Sequence, residues 1–330
     1  MAIIHGRSGS ETTLLRKCNF NPINFNEIKP YLEKKEKELK QFKDSFYTHI
    51  LPKRKKKLYE KIENLSIKKS DTEAGWDKKI GELKIKVSNT KEKLSIKKAY
   101  HLFPLLFYWS KLANIKYRLM PKELLDIQSE INTEVYYLDY LKNYPDIVFK
   151  DDSKVFYNSI SHANSIIRSA DYKGAYGELK FLEEMTKLSD EFHIISDVNI
   201  NLYEYIRYKN TRNLKSAQMD FVIVSTKGVF VIEVKNWGKN YKHRGFSPYE
   251  QVDRAGLILY RHFKDVGINR KATKFLISIQ QPFKYNNNYK SVLVNTHYGL
   301  KQYLEKRQNK IPLEEVDRIV RNLQKYLSPL

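Results

Sequence analysis

The sequence is poor in the residues that staple, interrupt or anchor a chain. Cys18 is the only cysteine, so no intrachain disulfide can form and no zinc site can be built from thiolates. That usage fits a reducing compartment, and a cytoplasmic location is expected. Glycine (12) and proline (10) are scarce, which argues against long disordered or low-complexity tracts. The longest apolar run, Leu102-Phe103-Pro104-Leu105-Leu106-Phe107-Tyr108-Trp109, has eight residues, against the roughly 20 that a membrane span needs. The opening residues Met1-Ala2-Ile3-Ile4-His5-Gly6-Arg7 lack the apolar core of a signal peptide. A soluble protein without a membrane partner is expected. His193, His243, His262 and His297 show neither His-x-x-x-His nor His-x-Asp spacing, so neither a zinc site nor a Ser/His hydrolase is assigned.

Positive charge is abundant. The 330 residues carry a formal net charge of +22, from 60 basic and 38 acidic side chains. The excess is shared, with 31 basic against 19 acidic in residues 1–150 and 29 against 19 in residues 151–330. A uniformly basic chain attracts polyanions, of which nucleic acid and an anionic membrane surface are the usual ones.

Residues 1–26 show little periodicity and read as an irregular lead-in. Gly6-Arg7-Ser8-Gly9-Ser10 resembles a phosphate loop only superficially, since no Gly-Lys-Ser/Thr follows. From residue 27 the text becomes Lys/Glu-rich helix. Ile28, Leu32, Leu39, Phe42, Phe46 and Ile50, then Leu58, Ile62 and Leu65, then Trp76, Ile80, Leu83 and Val87 form narrow apolar stripes at helical spacing. Such stripes suit a coiled-coil seam, with two long helices joined near Lys69-Ser70-Asp71 as an antiparallel hairpin. Lys53, Arg54, Lys55, Lys56 and Lys57 form a basic run here. It reads either as a solvated helix face or as a contact with a nucleic-acid backbone, which adds affinity without sequence readout. Residues 100–121 are aromatic and apolar; a hairpin tip, a self-association patch and a base for the next domain all remain open. A further helix is predicted over 122–143, ended by Tyr144-Pro145-Asp146, and a short one follows with Ile160, Ile166 and Ile167.

From residue 171 the pattern turns to mixed α/β. A helix predicted from Gly174 to about Leu188 carries Glu178 in register with Phe181, Leu182 and Met185, so the acid projects along the apolar face. The alternative is a first-turn acid that complements the helix dipole. A strand over 193–198 follows, then an exposed Tyr/Arg-rich connection over 203–215. Two apolar runs, 219–225 and 229–236, flank a turn that ends in Gly228 and predict a β-hairpin. Alternation puts Val229, Val231, Glu233 and Lys235 on one face, with Asp220 arriving opposite Glu233. Ser247-Pro248-Tyr249-Glu250 predicts a capping box with proline at the first helical position. Gln251 then stands in line with Ala255, Ile258 and His262. Strands over 274–280 and 291–295, and helices over 299–308 and 313–327, complete the chain. Asp220, Glu233 and Glu178 offer hard oxygen donors suited to Mg²⁺ or Mn²⁺. Lys235 could hold an attacking water or offset charge at phosphorus; a plain Glu233–Lys235 ion pair is the bland alternative.

Taken together, Gly174-x-x-Gly177-Glu178, Ala217-Gln218-Met219-Asp220, Val231-Ile232-Glu233-Val234-Lys235-Asn236 and Ser247-Pro248-x-x-Gln251 resemble the nuclease-related domain (NERD), a branch of the PD-(D/E)xK nuclease superfamily. The resemblance spans about residues 171–330. It implies Asp220 and Glu233 as metal ligands with the Val234 carbonyl as a third, and Lys235 as the catalytic lysine. Glu178 would be the helix acid that assists the metal, and Gln251 would orient substrate or water. Met219 stands where a β-branched residue is commoner. The expectation is an α+β chain. An all-α, extended, coiled-coil-like region over 27–170 precedes an α/β domain of the restriction-endonuclease kind over 171–330. The expected activity is Mg²⁺- or Mn²⁺-dependent phosphodiester hydrolysis, on DNA, with the basic helical arm binding DNA or mediating homo-oligomerisation. Two other readings stand beside it. One is a nucleic-acid-binding or scaffolding protein that keeps the fold without the chemistry. The other is an arm that acts on a partner protein with the nuclease as effector.

Overall fold

A computed structural model describes residues 1–97, 102–118, 121–209, 212–237, 247–281 and 283–327. His243 lies outside the described residues, as do Tyr100, His101, Leu119 and Met120 of the aromatic stretch. The chain divides into two units, one made of residues 1–34 with 159–330, the other of residues 35–158.

The first unit is built on a six-stranded sheet whose spatial order follows the chain: β1 (Ile3–His5), β2 (His193–Tyr208), β3 (Arg212–Ser225), β4 (Gly228–Lys235), β5 (Thr273–Ser278) and β6 (Val292–Thr296). The pairs β2/β3 and β3/β4 are antiparallel, while β1/β2, β4/β5 and β5/β6 are parallel. Helix α8 (Ala170–Met185) and α10 (His297–Lys306) cover one face, where Phe181, Met185, Phe221, Ile223, Phe230, Ile232, Phe275, Leu300 and Leu304 form a core. Helices α9 (Pro248–Asp265) and α11 (Leu313–Leu323) cover the other, over Val222, Val224, Val229, Val231, Val252, Ile258, Leu259 and Ile319. Valines and isoleucines dominate both sides of β3 and β4. That is the composition of strands buried on both faces.

The hairpin forms as the sequence predicts. Phe221 pairs with Ile232, Val222 with Val231 and Ser225 with Gly228, whose φ of 145° favours glycine. Three expectations are corrected. Residues 1–26 are not irregular throughout: they carry β1 and helix α1 (Gly9–Lys17), which is capped by Ser8 through the Glu11 N–H. A three-residue strand has no periodicity to read, and its partner β2 begins at His193. Residues 203–215 are largely exposed, as expected, but they are not a mere connection; β2 and β3 extend through the described part of this stretch as a two-stranded ribbon. The capping box is also absent. Ser247 is the N-cap and Pro248 the first helical residue of α9, but the serine side chain makes no capping bond.

The second unit is all helix. It holds most of α2 (Ile28–Ser45), α3 (Leu51–Lys97), α4 (Phe103–Arg118), α5 (Lys122–Asn143) and α6 (Pro145–Asp152); α7 (Lys154–Arg168), like α2, has residues in both units. A π-turn, Phe46–Ile50, joins α2 to α3. The expected break at Lys69-Ser70-Asp71 does not occur. Helix α3 runs through it, and an i,i+4 pair, Lys69 with Glu73 at 3.4 Å, spans the site. The partners of α3 are α5 and α4 rather than its own second half. Lys61 of α3 reaches Glu130 and Glu134 of α5 at 3.2 and 2.6 Å. Phe46, Leu51, Leu141, Val148 and Phe149 form a small core of their own. Among the described residues no helix is long and apolar enough to cross a membrane.

Candidate active site

In the first unit, a cleft of about 500 Å³ opens where β4 ends beside α8. Its walls include Ser10, Arg168, Lys173, Glu178, Asp220, Glu233, Val234, Lys235, Trp237 and Gln251. A smaller hollow of about 220 Å³ shares Ser10, Glu178, Asp220 and Gln251 with it and adds Asp171, Asp197 and Gln218. The six residues singled out by sequence in this domain, Glu178, Asp220, Glu233, Val234, Lys235 and Gln251, therefore meet in one cleft. Lys53, Arg54, Lys55, Lys56 and Lys57 belong to the other unit, in the first turns of α3. There Arg54 pairs with Asp152 at 2.7 Å and Lys56 stands 3.8 Å from Glu60.

Local structure places each group. Asp220 ends the apolar stretch of β3, and its Oδ2 accepts the Val234 N–H at 2.8 Å. Glu233, 1% exposed, accepts from the Lys235 ammonium at 2.5 Å. Glu178 sits in the third turn of α8, because that helix starts at Ala170 with Ser169 as its cap. The first-turn, helix-dipole reading of this acid is thereby excluded. Its stabilising donors come instead from another helix. The Ser10 hydroxyl donates to Oε1 and the Ser10 N–H donates to Oε2 at 3.3 Å. Gln251 lies on the exposed side of the first turn of α9, while Ala255, Ile258 and His262 farther along are buried.

The glycines of the Gly174-x-x-Gly177-Glu178 motif let neighbours approach α8. A Cβ at position 177 would stand 2.6 Å from the Asn236 Cβ, and one at 174 would stand 3.1 Å from the Ser10 hydroxyl. Asn236 closes the contact by donating to the Lys173 carbonyl at 2.8 Å. Close packing at both glycines thus brings α1 and the end of β4 against the helix that carries Glu178.

Electrostatically the cleft walls set three carboxylates, Glu178, Asp220 and Glu233, against three cations, Arg168, Lys173 and Lys235, and the adjoining hollow adds Asp171 and Asp197. Burial, reinforced by the charge of Asp220, pushes Glu178 up to about 8 against the opposing Ser10 and Ser8 hydrogen bonds. Burial and Asp220 likewise push Glu233 up to about 8, opposed by Lys235. Burial raises Asp220 too, against the pull of Lys235 and the Val234 N–H. Burial alone would lower Lys235, but the charges of Glu233 and Asp220 outweigh it and keep the ammonium protonated. Among the described residues no three or more His, Cys, Asp and Glu side chains are arranged around a common metal position. Each carboxylate is held by a donor of the chain itself.

Sequence reading missed Ser10, Asp197, Gln218, Arg168 and Lys173. For Ser10 a signal existed, since Ser8-Gly9-Ser10 opens a helix, but nothing local ties it to Glu178. Asp197 is buried with φ of 54°, an uncommon conformation for a residue other than glycine, and accepts a hydrogen bond from Gln218. Three of the described histidines make packing or hydrogen-bond contacts within the fold. His262 bonds Asn322 at 2.7 Å, and His5 stacks on His193.

Residues 173–280 match the family model of the nuclease-related domain (NERD). The matched segment contains Glu178, Asp220, Glu233, Val234, Lys235 and Gln251, and excludes Ser10 and the helical unit. No curated protein and no solved structure matches the chain.

Proposed function

We propose that the nuclease-related domain of this chain is a metal-dependent nuclease that hydrolyses phosphodiester bonds, with DNA as its substrate. The observation that carries this reading is the meeting of Glu178, Asp220, Glu233 and Lys235 in one cleft, within a segment that matches a nuclease-related family. The donor set fits a divalent cation. Three carboxylates meet in the cleft, their donors are hard oxygens, and burial raises Glu178, Asp220 and Glu233 above their ordinary range, which a divalent cation would offset. Asp220, Glu233 and the Val234 carbonyl would hold Mg²⁺ or Mn²⁺, with Glu178 assisting. When bound, such an ion activates water and offsets the charge that develops at phosphorus.

The chain's own groups do the rest. Lys235, protonated and anchored on Glu233, orients a water or a phosphoryl oxygen as a charged donor. Gln251, exposed at the cleft rim, orients substrate or water through its amide. Arg168 and Lys173 line the same cleft and favour a phosphate backbone there. The basic run of α3 is a second electrostatic contact for DNA, and the helical unit is a route to homo-oligomers.

Cleavage of plasmid and linear DNA in Mg²⁺ or Mn²⁺ tests the reading. It should stop with EDTA and in Glu233→Ala and Lys235→Ala, with circular dichroism unchanged. Cleavage that survives both substitutions would sink it. A fold kept for binding alone draws support from the Glu233–Lys235 pair, which can exist without chemistry. Wild-type protein that shifts DNA in gels but cuts none, across metals and substrates, would favour that second reading.

A further inference from the structure

The β2–β3 ribbon leads away from the cleft and presents a row of side chains that the nuclease chemistry does not use. From residue 199 onward the odd-numbered residues of β2 face solvent: Asn199, Asn201, Tyr203, Tyr205 and Arg207 are all exposed, as is Glu204 between the two tyrosines. Of the even-numbered ones, Ile200, Leu202 and Tyr208 are buried in the core beneath α9. The exposed row begins at the cleft, because Asn199 pairs with Gln218, and Gln218 and Asp197 line the hollow that adjoins Asp220. At strand rise the row extends roughly 30 Å.

Tyr203 is 97% exposed and Tyr205 67% exposed. The Lys215 ammonium of β3 lies 5.4 Å from the Tyr205 ring centre. The register shifts between Asn201 and Ile206. A bulge there takes Tyr203, Glu204 and Tyr205 out of the paired ladder. The inner side of the ribbon is fixed: the Tyr208 hydroxyl donates to Asp253 of α9 at 2.9 Å, and Lys209 covers the Tyr289 ring at 3.5 Å. The Tyr203 ring is open to solvent, and the Tyr205 ring is exposed beside Lys215, on a support that does not need to order itself.

We infer that this face is a track for single-stranded nucleic acid, whose bases stack on Tyr203 and Tyr205 while Arg207 and Lys215 follow the backbone. The occupant is argued from charge and continuity. The ribbon carries the Tyr203 and Tyr205 rings with the cations Arg207 and Lys215 beside one exposed acid, Glu204, and it starts at the hollow that adjoins Asp220. Exposed rings suit bases that are free to unstack, which those of a duplex are not. The inference rests on the reading of the cleft as a nucleic-acid site, and it specifies the substrate of that site as single-stranded.

The test is fluorescence anisotropy of the full chain, in EDTA, with labelled dT₂₀, rU₂₀ and a 20-base-pair duplex, beside cleavage assays in Mg²⁺. Tyr203→Ala with Tyr205→Ala should weaken dT₂₀ or rU₂₀ binding by roughly tenfold or more, the scale of base–aromatic stacking. The Tyr203→Phe, Tyr205→Phe pair keeps the rings and should bind as wild type. Arg207→Ala should flatten the salt dependence of binding. Unchanged thermal unfolding of the alanine pair would show that the fold is intact. Equal losses on duplex and single strand, or no loss at all, would overturn the track. If the alanine pair binds normally and wild type still cleaves, the track fails and the nuclease reading stands. If wild type binds dT₂₀ through the tyrosines but cuts nothing in Mg²⁺ or Mn²⁺, the track stands and the nuclease reading fails.

Discussion

Ser10 and Glu178 are 168 positions apart, yet the serine donates to both oxygens of this buried carboxylate. Hydrogen bonds to a charged group contribute about 1.5–3 kcal/mol. Ser10→Ala is therefore expected to cut kcat roughly tenfold with little change in KM, whereas Ser10→Thr, which keeps the hydroxyl, should restore most of it. Equal kinetics for the alanine and wild-type proteins would deny Ser10 a positioning role. The raised acids make a second prediction. Glu178 and Glu233 titrate near 8 in the folded chain, above the ordinary 4.5. The folded state then retains protons that the unfolded state has released, so stability falls as pH rises from about 5 to 8. Metal-free protein should show a Tm that declines across this window, and Glu233→Gln should flatten the decline. Added Mg²⁺ should raise Tm at the upper end by mass action. A Tm that climbs over the window would contradict the placement of these carboxylates.

At the scale of elements, the same substitution should act with opposite sign in two helices. In α8 the methyl of Gly177→Ala would overlap Asn236, whose Cβ is 2.6 Å from the new atom. Overpacking of that kind costs about 1–3 kcal/mol, more than the gain in helix propensity, and it displaces the end of β4 that carries Lys235. In α3 a Cβ on Gly75 meets nothing within 4 Å. Gly75→Ala should stabilise that helix by roughly 0.5–1 kcal/mol. Thermal unfolding of the two variants checks both signs. These elements also show what local pattern can convey. The β3–β4 hairpin is legible because its alternation, its turn and its three charged groups lie within one short stretch. The ribbon is not, because Tyr203, Glu204 and Tyr205 break the apolar alternation, and burial of Leu202 and Tyr208 depends on α9. The break expected in α3 fails because Ser70 and Asp71 are weak helix formers rather than helix stops, and packing against α5 and α4 overrides propensity of that size.

For the whole molecule, the net charge of +22 implies polyanion affinity that falls steeply with salt. Replacing Lys53, Lys55 and Lys57 by glutamine, and leaving Arg54 on Asp152, should lower the slope of log K against log salt by about 0.9 for each duplex phosphate that is no longer neutralised. An unchanged slope would make the run a solvated face. The sequence by itself determined the division into a helical region and a mixed α/β region and the hairpin, and it singled out the acids and the lysine that meet in the cleft. Each of these is written in composition or in periodicity over a few neighbouring residues. Only the tertiary structure decided that Glu178 is held by α1 from outside the matched segment, that β1 completes the sheet, and that a tyrosine row continues from the cleft. Those facts depend on contacts between residues far apart in the chain, where close approach at Gly174 and Gly177 and burial on both faces of the sheet select partners that local pattern does not reveal.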